Sequence, residues 1–288
     1  MDVQQHEDPR VFQTFATPFY ATDTLRHTVA LTVMARFLGV DRPQNQPIMA
    51  TLHGADNELI GVALRTPPWP VIVSGLPTDP DVLETFLTRW LEFDPELPGV
   101  TGPLENAHAV ADVWTRRSGG TTKVTLSSRL FRLGELTPPD TRGQARAATR
   151  DDLDLMVKWR EDFEIEALGY SRDPGEGPAS ISRMFDNSDT IVLWEDGGEP
   201  VSWAAASAPI AGMSRVGPVY TPPEHREHGF GSAVTAAASQ GARDAGATDV
   251  ILFTDTTNPT SNSIYQKIGY RPLYDSTELE FVRLPSTV

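Results

Sequence analysis

The 288-residue sequence contains no cysteine, which excludes disulfides, thiolate catalysis and thiolate metal sites within it. It also lacks any apolar run approaching the ~20 residues that span a bilayer. The segment Met1–Asp8 is acidic and does not show the basic and then apolar pattern of a secretory signal. These absences predict a cytoplasmic protein without a membrane partner.

Positive charge is also scarce. The chain has 24 Lys and Arg against 39 Asp and Glu, a formal net charge of −15. This balance argues against a nucleic-acid partner, because neutralising phosphates needs clustered Lys and Arg. An acidic surface steers cations toward a protein, although solubility alone also explains such a charge. A site for an anionic ligand therefore has to be built locally.

Hydrophobic residues make up 39% of the chain, enough for a packed core. Their spacing, which is typical of alternating strands and helices, begins again in the second half of the chain. The segment 136–143 has no periodicity and contains the adjacent prolines Pro138 and Pro139, so it is predicted to be a linker. Residues 1–135 and 144–288 are then two related domains. Both show strand-like runs alternating with amphipathic helices, which predicts a mixed α/β (α+β) fold.

Local patterns place the elements of each half. The first half predicts helices at 81–93 and 104–117 and a strand near 122–133. In the second half, Thr149 is a predicted helix N-cap, the Gly- and Pro-rich segment 169–179 a predicted loop, and 190–195, 201–206 and 213–221 predicted strands. The unbroken apolar run Val250–Phe253 predicts a strand covered on both faces.

A glycine turn between a strand and an alanine-rich helix is the first feature that points to chemistry. Such a turn presents unpaired backbone N–H groups and the positive end of the helix dipole to an anion. Glycines let the backbone approach phosphates closely. The turn and the first residues of the helix read Arg226, Glu227, His228, Gly229, Phe230, Gly231 and Ser232.

A short helix about thirty residues later is the second feature. Asn258 is a favourable N-cap, Pro259 suits the first helical position, and Gly269 is a predicted C-terminal stop. Asn258 and Tyr265 are seven residues apart, which is two helical turns. Both side chains can therefore address the same ligand.

Together the two motifs resemble the acyl-CoA site of the GNAT superfamily of N-acetyltransferases. The turn fits the family pattern Arg/Gln-x-x-Gly-x-Gly/Ala at every fixed position. It departs from the family at Glu227, where many relatives have Gly or a basic residue, since a carboxylate near a diphosphate is unfavourable unless it points away. The resemblance covers residues 144–283. It implies two GNAT-like domains, each a mixed, mostly antiparallel sheet flanked by helices.

The resemblance also implies roles for individual residues. Acetyl-CoA would be the acyl donor, and the main chain of Val219, Tyr220 and Thr221 would pair with its pantetheine arm. Asn258 would contact the pantetheine or the diphosphate, while the turn from Arg226 to Ser232 would hold the diphosphate. Tyr265 would protonate the departing thiolate, since a phenol has a pKa of about 10 against about 8.5 for a thiol.

The first half shows no equivalent Gly-x-Gly turn. Its segment Gly99–Leu104 has Pro103 where a backbone donor would be wanted, which predicts a degenerate GNAT-like domain.

The general base stays open between four candidates, which are Glu164, Glu166, Asp255 and His225. We predict an acetyl-CoA-dependent N-acetyltransferase that acts by direct transfer on a small-molecule primary amine, without a metal. The alternatives are a mycothiol-synthase-like enzyme, a protein or peptide N-acetyltransferase, or a non-catalytic acyl-CoA-binding module. A homodimer is also left open.

Overall fold

The structure is a computed structural model and describes residues 1–38, 46–168, 175 and 177–284. The chain divides into two compact units. Unit 1 comprises residues 1–129, 255–257 and 274–288, and unit 2 comprises residues 130–254 and 258–273. Within the described ranges, no helix has the length and apolar character needed to cross a bilayer.

The first half of the chain supplies six strands and four helices among its described residues. They are β1 (Asp2–His6), α1 (Pro9–Tyr20), α2 (Thr28–Leu38), β2 (Ile48–His53), β3 (Leu59–Arg65), β4 (Val71–Ile72), α3 (Pro80–Phe93), β5 (Gly99–Pro103), α4 (Leu104–Ser118) and β6 (Thr121–Leu133).

The second half repeats this series, again among described residues. Its elements are β7 (Gln144–Ala147), α5 (Leu153–Leu168), α6 (Gly177–Asp186), β8 (Thr190–Asp196), β9 (Glu199–Ala206), β10 (Met213–Tyr220), α7 (Phe230–Asp244), β11 (Asp249–Asp255), α8 (Pro259–Lys267) and β12 (Tyr270–Val282).

Strand order is the same in the two units once six is added to the numbers β1–β5 and the strands β6 and β12 are exchanged. Unit 1 has the order β1-β2-β3-β4-β5-β12-β6, and unit 2 has β7-β8-β9-β10-β11-β6 with the start of β12 beside β6. The pairs β4–β5 and β10–β11 are parallel, whereas β1–β2, β2–β3, β5–β12, β7–β8, β8–β9 and β9–β10 are antiparallel. The predicted mixed, mostly antiparallel α/β fold is confirmed.

The two units differ in their bounds from the predicted domains. Unit 1 includes the C-terminal part of β12, and unit 2 begins within β6, because these two long strands each carry residues of both units. The division at 136–143 stays a prediction. In the structure this segment lies along α7, since Leu136, Pro138 and Pro139 line an apolar cavity of about 230 Å³ together with Ala233 and Ala237.

Two elements escaped the sequence patterns. The strand β1 lies in the acidic segment Met1–Asp8, whose sequence predicts no strand. The predicted loop 169–179 lies outside the described residues except for Gly175 and residues 177–179. Residues 177–179 form the start of α6 and are not a loop.

Helix α5 is preceded by a side-chain cap, as Thr149 predicted. The Thr149 N–H donates to the Asp152 carboxylate at 2.8 Å, and the two residues form a capping box. Asp152 also accepts hydrogen bonds from the Arg146 guanidinium at 2.9 and 3.0 Å. These bonds lower the pKa of the Asp152 carboxyl to about 2, and the bond from the Arg146 guanidinium has the largest effect.

Candidate functional site

The strand β10 leaves its parallel neighbour partway along its length. Its register with β11 covers Met213–Arg215 against Asp249–Ile251. From Val216 onward, β10 is paired with β9 through Val219 and Tyr220, after a β-bulge. The edge of β10 that faces away from β9 is therefore available to a ligand over this stretch.

Alternation along the strand decides which groups face that edge. The Tyr220 carbonyl accepts a hydrogen bond from the Ser202 hydroxyl of β9 at 2.9 Å, so the Tyr220 main chain faces β9. Successive residues of a strand direct their main-chain groups to opposite edges. Val219 therefore presents its N–H and C=O to the edge that β11 leaves.

The glycine turn follows β10 and contains two residues in the left-handed region. Gly229 has φ +81° and is the N-cap of α7. A Cβ added there would lie 2.7 Å from the Thr141 hydroxyl oxygen, so the position needs glycine for space as well as for conformation. Glu227 also has a positive φ, of 67°, which costs a non-glycine residue about 1–2 kcal/mol.

The N-terminus of α7 carries no side-chain cap and no acidic residue in its first turn. Phe230, Gly231 and Ser232 open the helix, and the first intrahelical bond to the cap runs from the Ala233 N–H to the Gly229 carbonyl at 3.0 Å. The N–H groups at the start of a helix have no intrahelical partner. This end of α7 can therefore bind an anion.

The strand order shows that the counterpart of this turn in unit 1 is the end of β4 and the start of α3. The segment Gly99–Leu104, where the sequence predicted that an equivalent glycine turn is missing, contains β5. It therefore corresponds to β11 and not to the end of β10. At α3, Asp79 caps the helix, and its carboxylate accepts from the Asp81 and Val82 N–H groups at 3.0 and 3.1 Å. The place of an anion is thus taken by a side chain of the chain itself.

Arg226, the first residue of the turn, contacts three residues of unit 2. Its Nε donates to the Thr221 carbonyl at 2.9 Å, its Nη2 lies 2.5 Å from the Glu166 carboxylate, and its guanidinium lies 5.9 Å from the centre of the Tyr220 ring. The hydrogen bond that Arg226 donates to the Glu166 carboxylate raises the pKa of Arg226. Arg226 is therefore paired with α5 in the structure, and its contact with a phosphate stays a prediction.

The second motif forms the predicted helix. Pro259 is the first residue of α8, and the Asn258 carbonyl accepts from the Asn262 N–H at 3.2 Å. Gly269 follows the helix with φ +110°. A Cβ at Gly269 would lie 1.9 Å from the Glu135 carbonyl oxygen, so this position also needs glycine.

Tyr265 is buried on α8, with 8% of its surface exposed. It belongs to the apolar cluster of unit 2 that includes Val216, and Val219 packs against the same cluster. Its ring centre lies 6.2 Å from that of Tyr270. The structure thus brings Tyr265 into one cluster with the part of β10 that leaves β11.

The four candidate bases have different surroundings. Glu164 is buried and paired with Arg160 at 2.9 Å, whereas Glu166 is exposed and holds Arg226. Asp255 accepts from the Thr257 N–H at 2.7 Å and lies in unit 1. His225 is half-buried in a short 3-10 turn.

Tyr220 lies near two carboxylates of α5. The ring is packed against Trp159, with 6.5 Å between ring centres. Burial raises the pKa of Tyr220, and the charges of Asp162 and Glu166 raise it further.

The sequence reasoning missed two residues that border the glycine turn, Thr141 and Arg142. The Thr141 hydroxyl donates to the His228 carbonyl at 2.9 Å, and the Arg142 guanidinium lies 5.6 Å from the centre of the Phe230 ring. Both residues belong to the aperiodic, proline-containing segment, where no local pattern signals a site.

No cluster of metal-ligating side chains occurs among the residues that the structure describes.

Comparison with known proteins finds a family model that matches part of the chain. Residues 198–280 match the model of the FR47-like protein family. This stretch contains both the glycine turn and the helix with Tyr265. No curated protein matches the chain.

Solved structures match over nearly the whole chain. An acetyltransferase of the GNAT family from Colwellia psychrerythraea has 12% identity and a TM-score of 0.61, covering 99% of this chain and 100% of that one. A GCN5-related N-acetyltransferase from Sphaerobacter thermophilus has 14% identity and a TM-score of 0.62, covering 99% and 98%. A GCN5-related N-acetyltransferase from Kribbella flavida has 22% identity and a TM-score of 0.55, covering 77% and 88%.

These likenesses show that the chain has the GNAT fold, as the motifs predicted. The roles of individual residues stay predictions.

Proposed function

We propose that the chain is an acetyl-CoA-dependent N-acetyltransferase whose active half is unit 2. The observation that carries the proposal is the combination of an uncapped α7 N-terminus with a β10 edge that β11 leaves at Val216. A diphosphate fits the first, because helix N–H groups bind anions. The amides of a pantetheine arm fit the second, because an open strand edge pairs with an extended chain.

In the proposed reaction the acetyl group passes directly from the thioester to the amine. Main-chain groups of Val219, Tyr220 and Thr221 bind the pantetheine arm, and an N–H in this stretch stabilises the negative charge on the carbonyl oxygen. The attacking amine must first lose a proton, since alkylamines are protonated at pH 7. Tyr265 gives its phenolic proton to the departing sulfur.

The proposed acceptor is a small primary amine. Asp162 and Glu166 lie close enough to Tyr220 to raise its pKa, and carboxylates there favour a cationic acceptor. We further propose that the enzyme works in the cytoplasm without a nucleic-acid or membrane partner, on the strength of its composition.

The first test is thermal unfolding with and without acetyl-CoA, on the wild type and on Tyr265→Phe. Ligand at about 100 times its dissociation constant should add roughly 2.7 kcal/mol to the stability of the unit that binds it. Both proteins should be stabilised, because Tyr265 is assigned to proton transfer. The absence of any shift at millimolar acetyl-CoA would overturn the proposed site.

The second test separates an enzyme from a non-catalytic binding module. Release of free CoA thiol is followed with a panel of small amines, for the wild type, Tyr265→Phe and Tyr270→Phe. Tyr270 is a buried phenol of the same cluster whose hydroxyl is bonded to Ser239 at 2.7 Å, so it controls for loss of a phenol. We expect turnover to fall about 100-fold in Tyr265→Phe alone. Acetyl-CoA binding without turnover of any amine would favour the binding module.

A further inference from the structure

The start of α7 has an unusual balance of charge. A helix N-terminus bears a partial positive charge, so acidic groups stabilise it and basic groups do not. Helix α3 follows this rule with Asp79 as cap and Asp81 in its first turn. Helix α7 has neither a side-chain cap nor an acidic residue in its first turn, and Arg142 lies next to its first residue.

Several contacts hold Arg142 at this position. Its carbonyl accepts a hydrogen bond from the Trp194 indole N–H at 2.9 Å. The preceding residue, Thr141, donates to the carbonyl of His228 within the turn at 2.9 Å. The guanidinium of Arg142 lies 5.6 Å from the centre of the Phe230 ring. The backbone and the charged group are thus both placed beside the start of α7.

Among the described residues, the Arg142 charge has one ion-pair partner. Its Nε lies 2.9 Å from the Asp196 carboxylate, and 64% of its side chain is exposed. A guanidinium has five N–H donors in a fork, so the contact at Nε is compatible with a second anion at the Nη groups. Such a pair at the surface contributes at most about 1 kcal/mol, and it does not offset the missing negative charge at the helix end.

We propose that Arg142 binds a phosphate of the acyl donor and so completes the anion site at the start of α7. The proposal rests on the proposed function. It adds a charged contact, from a residue between β6 and β7, to the one that the sequence motif assigns to Arg226. Arg226 is already bound to Glu166 and to the Thr221 carbonyl. Guanidinium groups bind phosphates with two N–H donors at once.

The chain offers a closely matched control. Arg150 in unit 2 is also exposed, at 61%, and is paired with Asp186 at 2.6 Å. Its guanidinium lies 5.4 Å from the centre of the Phe185 ring. Arg150 therefore has the same kind of surroundings as Arg142, but it lies beside the C-terminal end of α6 and not beside the start of α7. Comparing Arg142→Gln with Arg150→Gln separates a specific contact from a general loss of positive charge.

The experiment measures the dissociation constant of CoA by calorimetry for the full-length wild type, Arg142→Gln and Arg150→Gln. We expect binding to weaken roughly tenfold in Arg142→Gln and to stay within about twofold in Arg150→Gln. Unchanged affinity in Arg142→Gln, or equal losses in both variants, would overturn the proposal. No CoA binding by the wild type would overturn the proposed function itself.

Dephospho-CoA and pantetheine identify the phosphate. A loss confined to CoA assigns Arg142 to the 3′-phosphate, whereas a loss with CoA and dephospho-CoA assigns it to the diphosphate. Pantetheine, which has no phosphate, should bind both proteins equally. An equal loss with pantetheine would mean that the substitution disturbs the site as a whole, and the proposal would be wrong. Rising salt should also weaken binding less in Arg142→Gln than in the wild type.

Discussion

Arg226 and Glu166 form an ion pair that competes with the phosphate contact predicted for Arg226. The motif predicts that Arg226 faces phosphate, but the structure pairs it with Glu166 and places it over Tyr220. A carboxylate competes with phosphate for the same guanidinium donors. Binding of the acyl donor at Arg226 therefore requires that this pair be given up.

Replacing Glu166 by Gln should strengthen CoA binding. An exposed ion pair is worth about 0.2–1 kcal/mol, so the dissociation constant should fall by about 1.4- to fivefold. Glu161→Gln, which removes the same charge from an exposed position of α5, should change it less. The effect should vanish when Arg226 is also replaced by Gln. A gain that persists without Arg226 would show that the two residues do not compete with phosphate.

Replacing Glu227 by Gly should stabilise unit 2. The left-handed φ of +67° is strained for glutamate but not for glycine, and after the added chain entropy the expected gain is about 0.5–1 kcal/mol. Glu224→Gly, in the 3-10 turn Pro223–His225, relieves no such strain and should lower the melting temperature. Equal effects of the two substitutions in thermal unfolding would contradict this explanation.

The two equivalent helices, α3 and α7, start in opposite ways. The Asp79 carboxylate accepts hydrogen bonds from the first N–H groups of α3. Gly229, at the same place in α7, has no side chain that could accept from them. This difference explains at the level of an element why unit 1 is predicted to be degenerate. It could not be located by pattern alone, because the equivalence of β4 with β10 comes from the strand order.

Removing the cap of α3 should cost stability. Asp79→Ala should lower the stability of unit 1 by about 1 kcal/mol, while Asp79→Asn should largely retain it, since asparagine is also a good N-cap. Hydrogen exchange of peptides from α3 would measure the difference. If Asp79→Ala exchanged like the wild type, the carboxylate would not be stabilising the helix.

At the scale of the whole molecule, we expect unit 1 to lose stability at a higher pH than unit 2 as the solution is acidified. Burial lowers the pKa of His27 to about 4, below its unfolded value of about 6.5. The neutral form is therefore favoured in the native state, and stability is lost as pH falls from about 6.5 toward 4. Asp152 in unit 2 has its pKa lowered from 3.8 to about 2. The stability that it contributes is therefore lost only as pH falls from about 3.8 toward 2.

Hydrogen exchange at pH 7, 5 and 4 would locate the opening. Peptides around His27 should lose protection first, and His27→Phe should reduce the pH dependence because it removes the group that takes up the proton. His108→Phe, at an exposed histidine of the same unit, serves as the control. Earlier opening of α5 than of unit 1 would contradict the assignment.

Local signals in the sequence determined most of the elements and the positions of both motifs. Helix periodicity, the pairing of Asn258 with Pro259, and the glycines at 229 and 269 all have causes within a few residues, namely propensity, capping and left-handed φ. The resemblance to GNAT enzymes follows from those motifs. The acidic net charge also belongs to the sequence alone.

Only the tertiary structure decided which groups meet. The pairing of Arg226 with Glu166 joins residues sixty positions apart, and the placement of Thr141 and Arg142 beside α7 joins residues more than eighty apart. The equivalence of Asp79 with Gly229 likewise depends on strand order. No local pattern encodes such contacts, because they arise when helices pack on a sheet whose order differs from that of the chain.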